Sequence, residues 1–257
     1  IAQIVREYWN LGDKPINDII YVLEKNGIIV TAYGTENNID AYSKKIKINN
    51  KDSYIIVLST TKESAVRSNF DAAHELGHII LHDWNTNLED LTSKEFKEIE
   101  QQANDFAAAF LLPPDTFGKE VSFAPNNINC YVDLKKKWKV SILAMIIRAN
   151  RLGLLDDAHY QNNVKRLSAK GWRSREPLDD ILTKAQPTLL QKSIDLLFEN
   201  DVFDADSFLE ELKENHISMN PDEVEHLLHL TKGKLSTKKQ EEQSVGLKLK
   251  CITKTSN

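Results

Sequence analysis

Hydrophobic and polar residues follow two rhythms along the chain, and the first of them predicts a small β-sheet. Residues 28–33 and 53–59 are short runs rich in β-branched residues, as in buried strands, and residues 39–48 form a weaker strand candidate. The polar stretch 49–52 between the last two candidates indicates a turn. We therefore expect three strands near the beginning of the chain.

The second rhythm places apolar residues three and four positions apart, which is typical of amphipathic helices. Pro15 favours a helix start, Gly27 favours a helix end, and Pro113 and Pro114 stop a long apolar stretch. Ser141 is expected to cap the last helix of this group. The helices predicted in this part of the chain cover residues 1–10, 15–26, 63–82, 94–112, 133–138 and 141–152.

The composition changes at residues 168–180, which are polar, contain glycine and proline, and indicate a linker. Beyond this segment, three short amphipathic helices are predicted over residues 187–199, 205–215 and 221–230. The pattern as a whole predicts an α+β protein that is mainly helical. The expected domains are residues 1–156, a helical C-terminal region at residues 157–231, and a basic, disordered tail at residues 232–257.

Charge and cysteine content narrow the compartment and the partners. The formal net charge is -5, the two cysteines are far apart, and neither a membrane-spanning run nor a signal peptide is visible, so we expect a cytoplasmic protein with no membrane contact. The start at Ile1 rather than at methionine leads us to expect an upstream segment. A DNA contact would need that segment or the basic tail, because we favour a packing role for the helix-turn-helix-like pair at residues 133–152.

The residues with the clearest chemistry are His74, Glu75 and His78, a His-Glu-x-x-His sequence within the predicted helix 63–82. Residues four apart lie on one face of a helix, about 6 Å apart along its axis, so both imidazoles can reach one metal ion. Glu75 follows the first histidine and can take a proton from a water at the metal. The motif predicts a zinc site with Glu75 as the catalytic base.

A catalytic zinc site needs a third protein ligand and an open fourth position. The predicted helix 94–112 offers four polar candidates at the edge of, or within, a mostly apolar stripe: Glu98, Glu100, Asn104 and Asp105. A carboxylate at the edge of a buried face costs free energy unless it is paired or bound to a metal, which favours Glu100. The cysteines lack metal-binding spacing, so histidine and carboxylate must supply the ligands.

The segments around these residues resemble the ImmA/IrrE family of metallopeptidases. The first reads FDAAHELGHIILH from Phe70, and the second reads EQQANDFA from Glu100 and ends in LLP. The resemblance covers about residues 2–155 and implies a zincin-like domain with a gluzincin-type site, in which Glu100 is the third zinc ligand. The chain departs from the family pattern at Phe110, a core position, and at Asp71, where relatives carry a small hydroxyl residue.

Further residues are expected around this site. Asp71, His82 and Asn104 could support a ligand or the water from outside the coordination sphere. Two alternatives remain, since His82 could pack at the helix end and Asn104 could cap an internal turn. The strand predicted after the turn is expected to form the edge of the cleft and to hold a substrate as an added strand. Its residues next to the substrate would be Tyr54, Ile55 and Ile56.

A zinc-dependent endopeptidase is the first functional hypothesis. Members of the ImmA/IrrE family, which the chain resembles, are typically bacterial or phage-borne, and many act on helix-turn-helix repressors. Many longer members carry an Xre-type DNA-binding domain ahead of the peptidase domain. The implied substrate and partner is therefore a DNA-binding repressor in the cytoplasm. One alternative is a metal-bound interaction module of a transcriptional regulator or antitoxin without relevant proteolysis. Another is a zinc hydrolase that acts on a bond other than a peptide bond.

Overall fold

The computed structural model describes residues 1–34, 40–61, 64–84 and 90–236. The chain divides into two compact units, Ile1–Gln186 and Pro187–Asn257. The described residues form eleven helices and three strands, which confirms an α+β fold that is mainly helical. Within these residues, no helix is both long and apolar enough to cross a membrane.

Two short helices precede the sheet. Helix α1 spans Ala2–Tyr8, and helix α2 spans Ile19–Lys25. Helix α2 begins at Ile19 rather than at the predicted Pro15. The side chain of Asp18 accepts a hydrogen bond from the backbone N–H of Tyr21 and caps the helix at this point. Gly27, with a φ of +85°, follows the helix in the left-handed conformation expected at this position.

The three strands form one mixed sheet. Strand β1 is Ile28–Tyr33, β2 is Ala41–Ile48 and β3 is Lys51–Ser59, which confirms the three predicted strands. Their order is β1-β3-β2, with β1 parallel and β2 antiparallel to β3. Asn49 and Asn50 have φ values of +49° and +63° and make the tight turn between β2 and β3, a conformation in which asparagine is favoured.

The prediction that β3 forms the edge of the cleft is wrong. Tyr54 pairs with Ile28 of β1 and with Lys45 of β2. Ile55 and Ile56 are paired on both sides in the same way. A central strand has no free backbone groups to offer a substrate. The outer strands of the sheet are β1 and β2, and it is β2 that lines the cleft at the candidate ligands.

The two longest helices follow the sheet, near their predicted positions. Helix α3 is Ala65–Leu81, and helix α4 is Ser93–Leu111. Thr92 and Glu95 form a capping box at the start of α4, in which each side chain accepts the backbone N–H of the other residue. The apolar stripe in the second half of α4 is buried, so α4 packs against the core along this face.

Four shorter helices complete the first unit. They are α5 (Pro114–Ser122), α6 (Ile128–Trp138), α7 (Ile142–Arg151) and α8 (Asp157–Ala169). Helices α5 and α8 were not predicted. Pro114 was read as a helix stop, but it also opens α5, because proline has no N–H to leave unpaired at the first position of a helix.

The turn between α6 and α7 lies against the hydrophobic core. Lys139 has a left-handed φ of +51°, and the side chain of Ser141 caps α7 by accepting the N–H of Ala144. Trp138 and Met145 on either side of the turn are buried. These contacts favour the packing interpretation of this helix pair.

The polar segment after α8 is not the free linker that was predicted. The side chain of Glu176 is buried and accepts hydrogen bonds from Lys135 Nζ at 2.8 Å and from the backbone N–H groups of Ile142 and Leu143. Glu176 therefore caps the beginning of α7 from a distant part of the chain. A charged group at this position satisfies N–H groups that the helix itself leaves without partners.

A second carboxylate extends this attachment to the helix that follows the sheet. Asp179 accepts hydrogen bonds from Lys135 Nζ at 2.7 Å and from Ser64 Oγ, the residue before α3, at 3.0 Å. These bonds hold the segment after α8 within the first unit. The compact unit accordingly ends at Gln186 rather than near the predicted domain boundary at Asp156.

The second unit has its own small core. Helices α9 (Leu189–Glu199), α10 (Ala205–Glu214) and α11 (Pro221–Leu227) match the three helices predicted there. Their buried contacts are made by Ile194, Leu209, Val224, Leu230 and Leu235. Residues 237–257, which hold most of the predicted basic tail, lie outside the described residues.

Candidate metal centre

Three predicted ligands come together between α3 and α4. His74 Nε2, His78 Nε2 and a carboxylate oxygen of Glu100 lie within 4.8 Å of one another. The two Nε2 atoms are 2.9 Å apart, and they lie 3.4 Å and 3.3 Å from the Oε2 and Oε1 atoms of Glu100. Nitrogen and oxygen ligands about 2.1 Å from a tetrahedral zinc ion are about 3.4 Å apart. The two nitrogen–oxygen distances match this spacing, and the nitrogen–nitrogen distance is shorter than it. The donor set of two histidines and one carboxylate fits zinc, and the identity of the metal stays a prediction.

The electrostatic surroundings keep one of these histidines ready for a metal. Burial, with further contributions from the neighbouring His74 and His82, lowers the pKa of His78 to about 4. A histidine can bind a metal only through a neutral ring nitrogen, so a low pKa removes competition from protons at neutral pH. The site thus presents two imidazole lone pairs and one carboxylate to the same point.

Asn104 holds the ring of His74 from behind. Its Oδ1 atom lies 3.1 Å from His74 Nδ1. Because Oδ1 can only accept, the proton of the neutral ring lies on Nδ1, and Nε2 is left free for the metal. This contact favours the interpretation of Asn104 as a supporting residue over that of an internal cap.

His82 and Gln102 orient the ring of His78 in a similar way. His82 Nδ1 lies 2.9 Å from His78 Nδ1, and His82 Nε2 lies 3.3 Å from Gln102 Oε1. One arrangement of protons satisfies the whole chain: His78 Nδ1–H donates to His82, and His82 Nε2–H donates to Gln102. His78 Nε2 then faces the metal position. Gln102 was missed in the sequence, where no local signal separates it from the exposed Gln101 beside it.

Glu75 lies beside the ligands but is held by a different element. It is 7 % exposed, and Ser43 Oγ on the edge strand β2 donates a hydrogen bond to its Oε2 atom at 2.6 Å. Burial raises the pKa of Glu75, and the nearby carboxylates of Glu100 and Asp71 add to the effect, while Ser43 and His74 oppose it. A carboxylate with a raised pKa is a better proton acceptor. Ser43 was also missed, because its contact with Glu75 crosses 32 residues of sequence.

The supporting role expected for Asp71 stays a prediction. Asp71 lines a separate groove together with Arg67, Gln101, Asn104 and Arg151. The ring nitrogen of His74 that Asp71 was expected to support is met by Asn104 instead. Asp71 is also close enough to Glu75 for its carboxylate to contribute to the raised pKa of that residue.

A cleft of about 550 Å³ opens onto the candidate ligands. It is lined by the first residues of the edge strand β2, Ala41, Tyr42 and Ser43, and by residues of α3, of α4 and of the segment just after α3. Tyr54, which was predicted to contact the substrate, packs against Trp84 with its ring centroid 5.7 Å away. A chain of extended backbone could reach the ligands along β2.

A small sheet beside a helix with two ligand-type histidines, and a second helix with a carboxylate ligand, define a zincin-like metallopeptidase domain. Residues 28–150 match the family model of the IrrE N-terminal-like domain, peptidase family M78. The chain carries a domain of the ImmA/IrrE family over these residues. A comparison with curated proteins gave no match.

Proposed function

We propose that the protein is a zinc-dependent endopeptidase, with His74, His78 and Glu100 as the zinc ligands and Glu75 as the catalytic base. The observation that carries the proposal is the convergence of three donor atoms within 4.8 Å beside a buried carboxylate that lines the same cleft. A bound zinc ion would supply a Lewis acid that lowers the pKa of water and polarises the scissile carbonyl.

The residues of the chain supply the proton transfers. Glu75 takes the proton of the attacking water and passes it to the nitrogen of the leaving amine. Ser43 occupies the Oε2 atom of Glu75, so Oε1 is the oxygen that remains available for the water. Asn104 and His82 keep the two ligand rings in their orientation, so that the metal position stays fixed while the peptide bond breaks.

The substrate would lie along β2. This strand is at the edge of the sheet, and Ser43 on it contacts the catalytic base. An extended peptide can add to an edge strand through backbone hydrogen bonds, which do not depend on its sequence. The scissile bond would thereby come within reach of Glu75 at a place where β2 and α3 already meet.

We propose a DNA-binding repressor as the substrate, on the basis of the family resemblance. Such regulators are implied by the resemblance rather than by any pocket of this chain. The alternative, a metal-bound interaction module without proteolysis, would use the same ligands but would not need Glu75. The role of Glu75 therefore separates the two functions.

The test is an incubation of the zinc-loaded protein with the repressor encoded beside its gene, followed by mass spectrometry of the products. We expect a defined cleavage that the Glu75→Gln variant loses although it retains its zinc. The His78→Ala variant should lose both zinc, measured by elemental mass spectrometry, and cleavage. Full cleavage by Glu75→Gln would contradict the mechanism, and a stable complex with uncleaved repressor would support the interaction module.

A further inference from the structure

The walls of the cleft differ in character. Next to the histidines and carboxylates, four large apolar side chains line one part of it: Leu81, Trp84, Phe96 and Ile99. Phe96 remains 44 % exposed although it is a large aromatic residue. Apolar side chains gathered in an open cleft are typical of a binding surface, because covering them with a ligand removes apolar area from water.

Helical spacing explains why these side chains meet at one end of the site. Leu81 lies three residues after His78 on α3, and Phe96 lies four residues before Glu100 on α4, so each is about one turn from a candidate ligand. The two helices run antiparallel, because His74 contacts Asn104 in the second half of α4, whereas Leu81 at the end of α3 lines the cleft together with Phe96 at the beginning of α4. The end of α3, Trp84 just after it and the beginning of α4 therefore supply the apolar wall of the cleft.

This wall lies in the same cleft as the edge strand. Tyr42 of β2 is 45 % exposed and lines the cleft together with the wall, so the side chains of a peptide on β2 would face apolar surface there. Asp83 and Glu100 also line the cleft. These polar groups border the apolar part of the cleft.

We propose that the wall formed by Leu81, Trp84, Phe96 and Ile99 selects substrates with a large apolar side chain, of the size of leucine or phenylalanine, next to the scissile bond. The inference rests on the proposed peptidase function and names a substrate preference for that site. Selection arises because a leucine side chain buries more apolar area on this wall than alanine does, whereas an aspartate would lose its hydration against an apolar surface.

The test uses short peptidyl hydroxamates with an isobutyl, a methyl or a carboxymethyl side chain, and calorimetric measurement of their Kd for the zinc-loaded protein. We expect the isobutyl compound to bind about 10- to 50-fold more tightly than the methyl compound and the carboxymethyl compound to bind most weakly. Phe96→Ser and Ile99→Ser should reduce the isobutyl preference. The matched control is Ile80→Ser, which changes an apolar residue of α3 that is 41 % exposed but does not line the cleft.

Equal binding of the isobutyl and methyl compounds, or no binding of either, would overturn the inference. An unchanged preference in Phe96→Ser would also overturn it. Phe96 is exposed, so we expect this variant to fold. The proposed function fails separately. If the hydroxamates show the apolar preference but Glu75→Gln cleaves the repressor as well as the unchanged protein does, then the preference stands and the proposed catalysis does not.

Discussion

Gly77 of α3 lies so close to Ala103 of α4 that a side chain between them would need the two helices to separate by a few tenths of an ångström. A Cβ atom at Gly77 would be 3.1 Å from both the Cα and the carbonyl oxygen of Ala103, and 3.3 Å from the ring of Phe106. Backbone atoms cannot move aside as the end of a flexible side chain can. The separation of the two ligand-bearing helices is therefore set by the absence of a side chain one residue before His78.

The Gly77→Ala variant should be destabilised by about 1–3 kcal/mol, because strain at the helix contact exceeds the gain in helix propensity of about 1 kcal/mol. Zinc affinity should fall with it, since α4 carries Glu100. Gly118→Ala is the matched control, since Gly118 lies within α5 and a Cβ atom there would be 3.8 Å or more from its neighbours. The higher helix propensity of alanine should therefore raise the stability of this variant. Urea unfolding measures both changes. Equal stability changes in the two variants would contradict the close-contact explanation.

Ser43→Ala should lower kcat by about 10- to 100-fold, because Glu75 loses a hydrogen bond of about 1.5–3 kcal/mol that fixes its orientation. We expect this loss to outweigh the gain in basicity when Ser43 no longer lowers the pKa of Glu75. Zinc content and KM should change little, since Ser43 orients the base and is not a ligand. Ser43→Thr retains the hydroxyl and should recover most of the activity. Steady-state kinetics of repressor cleavage give kcat and KM for each variant. A rise in KM with kcat unchanged would show that Ser43 holds the substrate instead.

Asn104→Ala and His82→Ala should each weaken zinc binding by about 10- to 100-fold, because each removes the partner that orients a ligand ring. Competition with a chelator of known affinity gives the two constants. Gln101→Ala is the matched control, since Gln101 lies on the same helix but donates to Asp105 instead of contacting a ligand. If all three variants bound zinc alike, the hydrogen bonds behind the histidines would have no part in holding the metal.

The attachment of the segment after α8 should be visible in stability. Lys135→Met leaves Glu176 and Asp179 buried without their cation, which should cost about 3–5 kcal/mol. The matched control is Lys136→Met, which changes an exposed lysine next to it. Urea unfolding at pH 7 provides the comparison, and a similar small effect in both variants would contradict the attachment.

The same cluster predicts a pH dependence. Burial alone would raise the pKa of Asp179, but hydrogen bonds from Lys135, from the N–H of Glu176 and from Ser64 outweigh it and hold the pKa below its ordinary value. A lowered pKa in the folded state stabilises the fold above the unfolded pKa of about 4, and the contribution is lost as the pH falls through the folded value. The difference in unfolding free energy between the unchanged protein and Asp179→Asn should therefore shrink below about pH 4, as followed by urea titrations. If the difference in unfolding free energy grew as the pH fell, the lowered pKa of Asp179 would be contradicted.

Local signals in the chain were enough for most helices and for the core of the site. The spacing of His74 and His78 places both rings on one face of α3 within a single turn, and the β-branched run from Ile28 predicts β1 with its observed bounds. Such features depend on a few neighbouring residues, so the pattern of side chains is sufficient to predict them. Glu100 was also anticipated, from the edge of an apolar stripe and from the family resemblance.

Contacts between distant segments had no such local signal. The position of β3 at the centre of the sheet depends on which strands pair, and the attachment of Ser43 to Glu75 depends on where β2 then lies. Likewise, Glu176 reads as part of a polar linker until its carboxylate is seen at the start of α7. Pairing and burial across tens of residues are settled by the packing of the whole unit, which no window of the sequence contains. Two short motifs in the sequence thus determine the residue types at the metal centre. Packing of the whole unit decides that β2 is the edge strand at the cleft, that Ser43 contacts Glu75, and how far the first unit extends.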